Sequence, residues 1–75
     1  MLESQEYKCA LSGRDLTPEN CALDHIMPLS RGGAHEIENA HLVTDQVNRA
    51  KGVMTAEEFV AMCCDVAETA GMVVK

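Results

Sequence analysis

Leu23-Asp24-His25-Ile26-Met27-Pro28-Leu29-Ser30-Arg31-Gly32-Gly33 is the stretch whose reading decides the fold. The run Cys21-Ala22-Leu23-Asp24-His25-Ile26 has the length and apolar content of a short strand. Pro28, which has no N–H to give to a ladder, ends it. The loop from Pro28 to Asn39 carries Gly32-Gly33, where positive φ costs little. Ala40-His41-Leu42-Val43 reads as a second short strand. Asp24 and His25 are sequence neighbours, and a regular strand sends neighbours to opposite faces. For the two to serve one site, the strand ends, twists or bulges there, or that site lies to either side of it.

Downstream, Thr44 reads as the N-cap of a short helix, Asp45 to Lys51, with an acid at its positive end, a base at its negative end and Gly52 as the stop. Thr55-Ala56-Glu57-Glu58 fits a capping box for a second helix, about 55–70. On it Phe59, Met62/Cys63, Val66/Ala67 and Ala70 recur at helical spacing as a packing face, and Cys63 and Cys64 read as packing with one thiol outward. Glu57, Glu58, Asp65 and Glu68 mark the solvated side. Upstream, residues 7–20 are dense in turn formers and read as two tight turns with Leu11 and Leu16 tucked inward. The chain is thus expected to be one domain, 1–75, with its core motif at 21–52. The class is α+β: an irregular N-terminal segment, a two-stranded hairpin, a short helix and an added C-terminal helix.

With 75 residues and only Tyr7 and Phe59 as aromatics, the core must be thin and built from aliphatic, Met and Cys side chains. The acidic N-terminus lacks the apolar run of a signal peptide, and no stretch approaches membrane-spanning length, so a soluble, cytoplasmic protein is expected. Of four cysteines, the adjacent Cys63 and Cys64 would close almost no loop, which favours reduced thiols. The net charge of −6 argues against nonspecific binding to phosphates. Its distribution softens that objection: residues 8–51 hold five of the six basic residues against six acids.

The residue types gathered here suit one chemistry. Phosphodiester hydrolysis needs a water made nucleophilic and stabilisation of the charge that builds on the phosphate and the departing oxygen. Histidine as a class titrates near neutrality, as a general base requires. A hard divalent ion held by a carboxylate and an amide oxygen serves as Lewis acid and template. Asp24, His25 and Asn48 supply those groups.

Asp24-His25-Ile26-Met27-Pro28-Leu29-Ser30-Arg31-Gly32-Gly33, then Glu38-Asn39, Leu42-Val43 and Asn48-Arg49-Ala50-Lys51-Gly52, resemble the HNH endonucleases, the ββα-metal nucleases, in order and approximate spacing over about residues 9–52. The resemblance implies a ββα-metal fold and a metal-dependent endonuclease acting on nucleic acid, with DNA the expected substrate. It implies His25 as general base, Asn39 as the brace that orients it, and Asp24 and Asn48 as ligands of Mg²⁺ or Mn²⁺, an H-N-N arrangement. Arg31, Arg49 and Lys51 would lie near the phosphate backbone, and His35 would approach substrate or metal. His41 shares Val43's face and reads as surface or packing. Many members hold a structural zinc with two Cys-x-x-Cys pairs. Here Cys9 alone remains, with Ser12, Thr44 and Val47 in the other places, so a zinc of that type is not expected. The acidic composition keeps open a noncatalytic nucleic-acid- or protein-binding module, or an accessory subunit active only as a homodimer or with a protein partner.

Overall fold

In the computed structural model, which describes residues 1–72, strand β1 (Cys21–His25) pairs antiparallel with strand β2 (Ala40–Thr44). The register sets Cys21 opposite Thr44, Leu23 opposite Leu42, Asp24 opposite His41 and His25 opposite Ala40. The first strand was expected to run through Ile26. It ends one residue sooner, although Ile26 N still donates to the Asn39 carbonyl at 2.9 Å. Alternation puts Ala22, Asp24, His41 and Val43 on one face. That face is the inner one: Val43 is fully buried and Asp24 nearly so.

Thr44 ends β2 and starts helix α1 (Asp45–Lys51), its hydroxyl accepting from Val47 N at 3.3 Å. Gly52 closes that helix with φ +53 and donates its N–H to the Asn48 carbonyl. Cap, short helix and glycine stop therefore stand where the sequence set them. The helix packs on both strands through its inner stripe, Val47 and Lys51, spaced i and i+4.

Residues 8–20 fold into turns under the hairpin. Lys8 and Asp15 bridge and form an ion pair, and Cys9 N donates to the Arg14 carbonyl at 2.7 Å. Cys9, Leu16 and Val43 make the core, with Leu11, Cys21, Leu42 and Val47 packed partly buried around it. This is the thin core expected of so short a chain. The Cys9 sulfur accepts from the Ser12 and Thr44 amides at 3.4 and 3.3 Å. Burial pushes its thiol pKa up, but the hydrogen bonds from Ser12, Leu11 and Thr44 prevail and hold it below the usual value.

Helix α2 (Ala56–Thr69) starts with the full capping box, Glu58 N on the Thr55 hydroxyl and Thr55 N on the Glu58 carboxylate. Ala56 N donates to the Ile26 carbonyl at 3.0 Å, and Arg31 from the loop pairs with Glu58. Only Phe59 on this helix is buried. The expected packing stripe is mostly exposed, Met62 and Val66 included, because the helix is tied to the hairpin through its first turn and then runs past the small core. Cys63 is exposed and Cys64 half-buried. No helix among the described residues is long and apolar enough to cross a membrane.

Candidate functional site

The site begins with the loop that leaves β1. Pro28, buried, opens a single 3-10 turn, Leu29–Arg31, and its carbonyl accepts from Arg31 N and Gly33 N, both at 3.0 Å. Gly32 ends that turn with φ +90, a region that glycine enters without penalty. At Gly33 the constraint is space: a Cβ would fall on the Met27 carbonyl and within 2.9 Å of Asn39 Nδ2.

Asn39 is the brace of this loop. Its Nδ2 donates to the Met27 carbonyl at 3.0 Å and to the Ala34 carbonyl at 2.8 Å, while its Oδ1 accepts from Met27 N at 2.9 Å. With the Ile26 bond to its carbonyl, one residue fixes the chain on both sides of the turn that follows His25. A short 3-10 turn, Ile37–Asn39, delivers it there.

Between β1, the loop and α1 lies an open cleft of about 210 Å³, lined by Asp24, His25, Pro28, Leu29, Asn48 and Gly52 among others. The three chemistry-bearing residues thus border one cleft from two elements, Asp24 and His25 from the end of β1 and Asn48 from α1. The His25 ring lies against His35, Nε2 to Nδ1 at 2.9 Å with ring centroids 5.1 Å apart. One of the two imidazoles donates and the other accepts, so the contact couples their tautomers and orients both rings. His35 meets the His25 ring from an exposed loop position.

Asp24 is 5% exposed, and both of its oxygens have partners. His41 Nε2 lies 2.7 Å from Oδ2, and Lys51 Nζ lies 3.1 Å from Oδ1. The ammonium also donates to the His25 carbonyl at 2.9 Å, and its side chain has no solvent exposure. Two residues read differently from sequence therefore serve this carboxylate. His41 was placed on Val43's face, which is correct, but its partner depends on a register that the sequence does not state. Lys51 was expected near phosphate and is instead buried at the carboxylate. The signal for it was present: it lies i+4 from Val47 and i+3 from Asn48, on the inward stripe of α1.

Arg31 and Arg49 are exposed, as a phosphate contact requires. Arg31 pairs with Glu58 and reaches the Val53 carbonyl, and Arg49 pairs with Asp45. The Glu58 carboxyl is held down to about 2, by the Arg31 guanidinium first and the Thr55 amide second.

Whether a hard divalent ion suits this cleft is a question of donors. No group of three or more His, Cys, Asp or Glu side chains among the described residues gathers as a metal cage. A carboxylate with one further lone pair on each oxygen and an amide oxygen border the same space, which is the hard-oxygen set that Mg²⁺ or Mn²⁺ accepts while keeping several waters. The donor types fit, with the carboxylate charge already balanced by Lys51.

A family model described as HNH endonuclease matches residues 9–56, from Cys9 through the hairpin and α1 to the first residue of α2. A search of curated proteins returned no match.

Proposed function

The chain belongs to the HNH endonuclease family, and on that premise we propose that it is a metal-dependent endonuclease that hydrolyses phosphodiester bonds of DNA. The observation that carries this reading is the shared cleft: Asp24, His25 and Asn48 border it together, with the loop behind it pinned by Asn39.

In this mechanism His25 takes the proton from a water that attacks the phosphorus in line with the leaving 3′ oxygen. His35 orients the imidazole through the contact of its Nδ1 with His25 Nε2. Asn39 fixes Ile26 and Met27 and so fixes where the strand carrying His25 ends. Asp24 and Asn48 would hold the divalent ion, which when bound supplies Lewis-acid stabilisation of the charge on the phosphate and the leaving oxygen. Arg31 and Arg49 would meet the phosphates on either side. Their present partners are surface carboxylates, and such exposed pairs contribute little to stability, so exchanging them for phosphate costs little.

Nicking of supercoiled plasmid with Mg²⁺ or Mn²⁺, abolished by chelator and strongly reduced in His25→Ala, tests the assignment. Undiminished nicking by purified His25→Ala protein overturns the role of the base.

A second reading, a noncatalytic module or an accessory subunit that cleaves only as a dimer or with a protein partner, draws on one observation. Lys8, Arg31, Arg49 and Lys51 are each engaged by a carboxylate of the chain itself. On a chain of net charge −6 this leaves a weak grip on nucleic acid, and cleavage that appears only at high concentration or with a DNA-binding partner supports it.

A further inference from the structure

We propose that Lys51 is the resident counter-cation of the divalent-ion site and sets, by competition, how tightly Asp24 and Asn48 hold the ion. The inference rests on the reading of Asp24 and Asn48 as the ligands. Lys51 is the largest fully buried side chain among the described residues. A buried ammonium is expensive unless it is paired and hydrogen-bonded. Here it is both, through Asp24 Oδ1 at 3.1 Å and the His25 carbonyl at 2.9 Å. Without it Asp24 would keep one side-chain partner among the described residues, His41 on Oδ2.

The same stripe of α1 carries ligand and competitor. Asn48 and Lys51 lie three residues apart, so they face the end of β1 together. Asn48 borders the cleft, whereas Lys51 lies beneath the carboxylate. An ion that enters the cleft and takes an Asp24 oxygen comes within a few ångströms of a positive charge that cannot leave through solvent. Two like charges at about 4 Å repel by an amount that decides occupancy when water is scarce. The ammonium therefore keeps the empty carboxylate balanced and lets only an ion of higher charge than its own compete for it. Removing the charge while keeping the volume should tighten divalent binding by at least about tenfold.

The test uses the whole chain and Mn²⁺ alone, with free Mn²⁺ measured by electron paramagnetic resonance and folding by circular dichroism. Lys51→Met keeps the length of the side chain and removes the charge, and Lys51→Gln removes the charge but keeps a donor. The expected result is that both bind Mn²⁺ at least about tenfold more tightly than the wild type, and that Asp24→Asn binds none at the cleft. Where a Lys51 variant is unfolded without metal, Mn²⁺ is expected to restore its helical signal by taking the place of the lost charge. Folded Lys51 variants that bind Mn²⁺ no tighter than the wild type, with Asp24→Asn still inactive in binding, overturn the inference and leave the ligand assignment standing. Variants that remain unfolded at saturating Mn²⁺ overturn it as well. Unchanged Mn²⁺ binding in Asp24→Asn overturns the ligand assignment itself, and the role of Lys51 with it.

Discussion

Replacing Asn39 with Ala removes three hydrogen bonds at once, from Met27 N and to the Met27 and Ala34 carbonyls. A typical intramolecular hydrogen bond contributes about 0.5–1.5 kcal/mol net. Asn39 is half-buried, so water can partly re-satisfy the freed backbone groups, which puts the loss at about 2–3 kcal/mol. For a chain of this size, whose whole stability is of the order of 4–11 kcal/mol, that is a large fraction. It corresponds to a fall in melting temperature of about 10–20 °C, read by circular dichroism. Asn39→Asp sharpens the argument, because it keeps an acceptor for Met27 N but turns a carboxylate oxygen toward two carbonyl oxygens. It should be at least as destabilising as Asn39→Ala. If Asn39→Ala melts within about 2 °C of the wild type, or Asn39→Asp is as stable as the wild type, the brace is not what holds this loop.

Gly33→Ala should destabilise by about 1–3 kcal/mol or more, because its Cβ falls on the Met27 carbonyl and close to Asn39 Nδ2; a urea midpoint equal to that of the wild type refutes the close approach. The Glu58 carboxyl is lowered to about 2 in the folded protein from its ordinary value of 4.5, so its stabilising contribution is full above the upper value and lost as pH falls toward the lower. The wild type should therefore lose melting temperature between about pH 5 and pH 2 more steeply than Glu58→Gln, and parallel curves for the two refute the Arg31–Glu58 link.

The hairpin, the short helix and both helix starts were legible because each has a local cause. Thr44 and Thr55 cap by hydroxyl, Gly52 stops by positive φ, and Pro28 cannot extend a ladder. What was not legible depended on how much core there is to pack against. The apolar stripe of α2 has helical spacing, yet spacing alone does not say whether a partner surface exists. After Phe59 the small cluster around Cys9, Leu16 and Val43 is too short to cover Met62 and Val66. Asn39 was anticipated as a brace from the resemblance, and the structure supplies its chemistry: amide and carbonyl of one side chain closing on both strands of the loop. The pairing of Asp24 with His41 needed the register, which a twelve-residue loop, Pro28 to Asn39, leaves undetermined.

Lys51 bears on the charge argument most. On the charge count alone, a metal that cancelled Asp24 would bring residues 8–51 from five bases against six acids to balance. Lys51 already neutralises Asp24 inside the protein, and taking this pair away leaves residues 8–51 with four bases against five acids, the same net charge as before. Asp24 is thus not a negative charge waiting to be cancelled. A divalent ion bound beside a neutral Asp24–Lys51 pair adds its full charge to the cleft, beside an Arg31 and an Arg49 that are already engaged by Glu58 and Asp45. On the proposed reading the ion is then the principal source of attraction for a phosphate at this site, and metal and nucleic acid tighten each other's binding by the same factor, as linkage requires. The acidic composition and a phosphodiesterase site are in this way compatible: the positive charge that the chain lacks in its sequence arrives with the ion, at the one place where Asp24, His25 and Asn48 meet.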